Sequence, residues 1–170
     1  MWLNQKRKIG LIVIFAGGMI LLVAMLIYVF TNGQQKTPVT CKQVTTVLSN
    51  LEYTPSDTTD AYLKQDSHLK NSVAIETDNI RFDFFEFDND NSASNVYTHA
   101  YKQILNYRNG YVEDVETEEY YANYRLYSLK TTGMYYLTIW VDNTAIYAYC
   151  DEEYTGELDE ILTAIGYQSK

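Results

Sequence analysis

From Ile9 to Phe30 the chain carries no charged residue and almost no polar one. A helix over this run reaches roughly 33 Å at about 1.5 Å per residue, enough for a hydrocarbon core of about 30 Å. Lys6, Arg7 and Lys8 precede it, while Thr31, Asn32, Gly33, Gln34 and Gln35 follow it without a charge. The positive-inside bias then assigns residues 1–8 to a cytoplasmic tail, 9–30 to a transmembrane helix, 31–39 to a tether and 40–170 to an extracytoplasmic domain. A cleaved signal peptide shares the basic start. It has a shorter apolar region and small residues before the cut, and Phe30-Thr31-Asn32-Gly33 offers no such site. The reading is an uncleaved signal anchor. Within the run Gly10, Gly17 and Ala24 recur every seven residues. Either they let a second helix approach, or they reflect the ordinary abundance of small residues in membrane helices.

The stretch beyond Phe30 holds ten of the thirteen basic residues and all 22 acidic ones, a balance of −12. That field excludes nucleic acid and anionic surfaces as direct partners and leaves cationic partners or solubility. Sixteen of the 17 tyrosines lie there too, on side chains suited to half-buried strands and to binding surfaces. Both cysteines, Cys41 and Cys150, fall in the same part. In an oxidising compartment two cysteines most simply form a disulfide. It would close a loop of about 110 residues and stabilise by about 4–5 kcal/mol. Two buried thiols are the alternative.

Thr40 and Gln43 form a capping-box pair before a helix over 41–52, and the polar stretch 53–71 reads as loop. Ser72–Thr77 and Ile80–Asp88 read as strands joined at Asp78-Asn79. Phe84-Phe85 predicts a bulge or burial on both faces there. Asp90 or Ser92 caps a second helix carrying Ala93, Val96, Tyr97, Ala100, Ile104 and Tyr107, and Asn109-Gly110 ends it. An acidic loop (Glu113, Asp114, Glu116, Glu118, Glu119) leads to strands near 121–130, 134–142 and 144–150, then to a helix over 156–165. The order α-ββ-α-βββ-α predicts an α+β domain, a largely antiparallel five-stranded sheet with helices packed on one face.

The stretch Ile80–Tyr101 (IRFDFFEFDNDNSASNVYTHAY) and the run Asn123–Cys150, closing with Ile165-Gly166-Tyr167, resemble small membrane-anchored or lipid-tethered extracytoplasmic proteins of Gram-positive bacteria. The likeness rests on aromatic strand patterns and implies compartment and fold only.

An even-numbered turn at Asp142-Asn143 sorts the last hairpin into two faces. One is mostly aliphatic (Leu137, Ile139, Val141, Ile146, Ala148, Cys150) and belongs against the helices. Its sulfur-bearing end points Cys150 towards the layer where Cys41 begins a helix. The other carries Tyr136, Trp140, Tyr147 and Tyr149. If open, it forms an aromatic patch of a size that marks an interaction site; otherwise a loop covers it or its rings stiffen the sheet.

No cofactor or metal motif stands out. Asp88–Ser92 resembles the start of a calcium loop, but Ala93 and His99 occupy the glycine and glutamate positions. His68 and His99 have no metal-ligand spacing around them. Carboxylate pairs such as Asp83 with Glu86, or Asp151 with Glu153, keep wall-glycan hydrolysis in view, though 22 acids produce such pairs by chance. The sequence reads as a non-enzymatic accessory protein of the bacterial envelope that binds a membrane or envelope protein through its aromatic face. An acidic inhibitor or immunity protein against a cationic enzyme or peptide is the alternative.

Overall fold

A computed structural model describes residues 35–108, 110 and 114–168. The expected tail, membrane span and Gly10, Gly17, Ala24 stripe lie outside the described residues. Among the described residues no helix is long and apolar enough to cross a membrane. The fold described is that of the sheet domain alone. Lys36–Lys170 forms one compact unit. The expected tether already belongs to this unit from Lys36. Lys36 and Asn123 exchange two hydrogen bonds of 3.2 and 2.7 Å, and the Val39 amide donates to the Tyr167 hydroxyl at 2.9 Å.

The chain order is α1 (Cys41–Asn50), β1 (Ser56–Asp57), α2 (Thr59–Tyr62), β2 (Leu69–Glu76), β3 (Ile80–Phe87), α3 (Asp90–Leu105), β4 (Val115–Tyr121), β5 (Tyr124–Thr131), β6 (Met134–Val141), β7 (Thr144–Asp151), a 3-10 turn (Glu152–Tyr154) and α4 (Thr155–Ile165). The strands form one seven-stranded sheet in the order β1-β2-β3-β7-β6-β5-β4, antiparallel throughout. The five-stranded expectation fails at both edges. β1 is two residues inside the stretch read as loop, and β4 is the stretch read as acidic loop. Edge residues contribute through the backbone ladder, so they need no apolar alternation to join a sheet.

Local signals explain most of the remainder. Thr40 and Gln43 make both halves of the capping box on α1. Gly166 ends α4 at φ 80, in the left-handed region that glycine enters without penalty. The Asp142-Asn143 turn pairs Val141 with Thr144, which sets the two faces of the last hairpin. β3 pairs with β7 without interruption from Ile80 to Glu86, so its phenylalanines alternate faces without a bulge. Phe82 and Phe84 enter one layer of core, Phe85 and Phe87 the other.

Helices cover both faces, not one. The aliphatic face receives α1 and α4: Val44, Leu48, Leu158, Ile161 and Leu162 pack with Phe82, Phe84, Leu137, Ile139 and Ile146. The opposite face receives α3, whose Ala93, Tyr97 and Ile104 pack against Phe85, Phe87, Tyr127 and Leu129. Two helices already fill the aliphatic face. The small and aromatic stripe of α3 complements the bulky rings on the other.

The expected disulfide is absent: Cys41 and Cys150 are both free and buried. Cys41 donates its amide to the Glu86 carboxylate, whereas Cys150 pairs with Ile80. Those partners sit six residues apart on β3, roughly 20 Å at about 3.3 Å per residue. A disulfide requires Cα atoms within about 7 Å. Burial pushes each thiol up to about 11. Aromatic disulfide reagents should therefore titrate no thiol in the native protein and both in denaturant, and a reductant should leave the melting temperature unchanged.

Candidate functional site

Asn89 starts α3 by accepting the Ser92 amide at 2.9 Å, a cap one residue earlier than the sequence suggested. The preceding Asp88 is held by the His68 imidazole at 3.0 Å, and that carboxylate raises the histidine's pKa. This pins the loop before β2 against the start of α3. One side of α3 then lies on the sheet, and Val96, His99, Ala100 and Gln103, spaced as neighbours on a helix surface, form the wall of a groove.

The facing wall comes from α2 and β2. Tyr62 meets Phe85 edge-on at 5.0 Å between ring centres, and Leu69 stands beside it. Phe85 and Tyr147 form the floor, and Gln65, Asp66 and Asn95 stand at the mouth. The groove has a volume of about 550 Å³. Burial raises the phenol pKa of Tyr147 and of Tyr62. Next to the floor Asp83, only 4% exposed, pairs across the sheet with Tyr147 and accepts two bonds from Arg81, at 2.7 and 2.8 Å. Arg81 also reaches Glu76. An apolar floor with polar groups at its rim suits an inserted apolar or aromatic side chain whose backbone stays hydrated.

The four aromatic residues singled out from the sequence do share one face, but they do not make an open patch. Tyr136 stacks under Tyr107 at 4.5 Å, beside the end of α3. Trp140 packs between the two clusters beneath α3, with the Arg125 guanidinium 5.5 Å above its ring. Its buried indole nitrogen has no partner among the described residues. Tyr149 lies 6.1 Å from Tyr136 and 5.9 Å from Tyr147, and of the four Tyr147 alone lines the groove. Sequence reasoning missed Phe85, Tyr62 and His99. The parity of β3 carries the signal for Phe85; nothing local announces Tyr62.

The proposed acid pair separates. Asp83 points to the α3 side of the sheet, while Glu86, three residues on, accepts from Cys41 on the other. The two carboxylates therefore cannot flank one glycosidic bond. Asp151 and Glu153 line one shallow cavity in which Glu152 is paired with Lys130 at 2.7 Å. Among the described residues no group of three or more potential ligands is placed to hold a metal ion.

No protein-family model matches the chain, and no curated protein sequence matches it. Among solved structures it is similar to a GTP-binding regulator from Thermotoga maritima, at 10% identity and a TM-score of 0.44, over 78% of this chain and 91% of that one. A likeness of that size carries no functional argument.

Proposed function

We propose that the chain is a binding protein of the bacterial envelope, held at the cell membrane by residues 9–30 with its N-terminus in the cytoplasm. Its outer domain takes a segment of a neighbouring membrane or envelope protein. The observation that carries the binding reading is the groove between α2 and α3, with Phe85 and Tyr147 as its floor. Aromatic floors supply large apolar contact at low entropy cost, which is how interfaces concentrate their energy. The apolar run and the basic residues before it support the location. Trp140 and Tyr136 pack beside α3, and Tyr147 is the ring of that face that lines the groove.

A photo-crosslinking residue placed at His99 in the full-length chain, in intact cells, should give a discrete adduct with a membrane or envelope protein. The same residue at Lys42, on the opposite layer, should not. Gln103→Trp, at an exposed position on the groove wall, should fill the groove and remove the adduct without lowering the melting temperature of the purified protein. Equal adducts from His99 and Lys42, or none from His99, would sink the reading. A salt-insensitive adduct separates it from an acidic inhibitor acting by charge, whose complex weakens steeply as salt rises.

A further inference from the structure

The two edges of the sheet are built differently. At one, β1 pairs with β2 at Ala74 and Val73, and Thr58 and Thr59 then bond the Ser72 carbonyl and amide. That edge is short and blunted. At the other, β4 is seven residues long with nearly all of its side chains exposed or half-exposed. Tyr121 and Tyr124 close a two-residue hairpin, and Thr131 and Met134 close the next. Both closures give the same parity. Val115, Thr117, Glu119 and Tyr121 bond β5, while the amides and carbonyls of Glu116, Glu118 and Tyr120 point outward. Among the described residues no backbone bond from elsewhere reaches these three.

A second copy of the chain is a poor occupant. In its central registers, antiparallel pairing of β4 with itself sets Glu118 against Glu118, Glu116 against Glu118, or Glu119 against Glu119. Like charges directly opposed destabilise a sheet. The same side chains favour an oppositely charged strand. Glu116 also meets Arg108 and the Tyr127 hydroxyl, and Glu118 meets Tyr120, so the carboxylates are held in place along the edge.

We propose that the outer edge of β4 takes an extended, lysine- or arginine-bearing segment of a partner protein as an eighth strand. The backbone ladder supplies the binding, and cationic side chains opposite Glu116 and Glu118 set the register. This surface is independent of the groove between α2 and α3.

The test uses the full-length chain in detergent micelles and a capped Lys-Val-Lys-Thr-Lys-Val-Lys peptide. The comparisons are the same peptide N-methylated at each lysine and its glutamate counterpart. Binding of the basic peptide should slow hydrogen exchange at the Glu116, Glu118 and Tyr120 amides. N-methylation keeps the charge but removes the donors, and should weaken binding at least about tenfold. Glu118→Pro removes an outward amide without touching the bonds to β5, and should do the same while the thermal unfolding midpoint stays in place. Equal binding by the N-methylated peptide would overturn the proposal, as would equal binding by the glutamate peptide or none by the basic one.

Discussion

Raising the pH from 9 towards 12 is expected to unfold the domain in one cooperative step. Cys41 and Cys150 are pushed up to about 11 by burial, from an ordinary 9.0. Tyr127 and Tyr167, both fully buried, are pushed up to about 12 from 10.0, again by burial first. A raised native pKa stabilises fully below the unfolded value and loses that contribution as pH climbs through the native value. The thiols therefore begin to cost stability above pH 9 and the phenols above pH 10. Four protons kept by the native state and released by the unfolded one give a slope of about 5 kcal/mol per pH unit. A domain of this size holds about 5–15 kcal/mol in total, so the transition finishes within a few pH units. Absorbance at 295 nm should rise in two stages, the second coinciding with loss of near-ultraviolet circular dichroism. Gradual ionisation of every phenol with the dichroism intact would show that these hydroxyls reach solvent in the native fold.

The second large effect lies at Asp83 and Arg81. The Asp83 side chain is 6% exposed and that of Arg81 is 21% exposed, and they are joined by two hydrogen bonds. Breaking such a pair strands one charge, at about 3–5 kcal/mol, whereas replacing both with apolar groups of similar volume is often nearly neutral. Arg81→Met should fall in that range, because it leaves the more buried Asp83 alone. Asp83→Leu should cost about 3 kcal/mol, since Arg81 keeps Glu76 at the exposed side. The double variant should recover most of the loss in urea unfolding. Additive costs would mean that the two residues act separately and that the pair does not organise the groove floor.

Both effects depend on burial, and burial was only partly legible. The aliphatic and aromatic faces of the last hairpin followed from one turn and the period of two, and Val141 opposite Thr144 agrees with that parity. The helix positions followed from Thr40, Gln43 and Gly166. The location of α3 did not follow. Its stripe reads as apolar whichever sheet face it meets, and the choice depends on α1 and α4 already filling the other. For that reason α3 lies against the aromatic face, and Tyr147 helps to floor a groove beside it.

The amino-acid order by itself determined the residues that alternate, the turns that set register and the caps that bound helices, because each is a property of a few adjacent residues. It also placed the long apolar run and the charge that precedes it. Only the tertiary structure decided that β1 and β4 join the sheet, that Cys41 and Cys150 contact opposite ends of β3, and that Tyr62, Phe85, His99 and Tyr147 meet. Those outcomes depend on backbone pairing and on which surfaces are left uncovered. Neither leaves a local hydrophobic pattern.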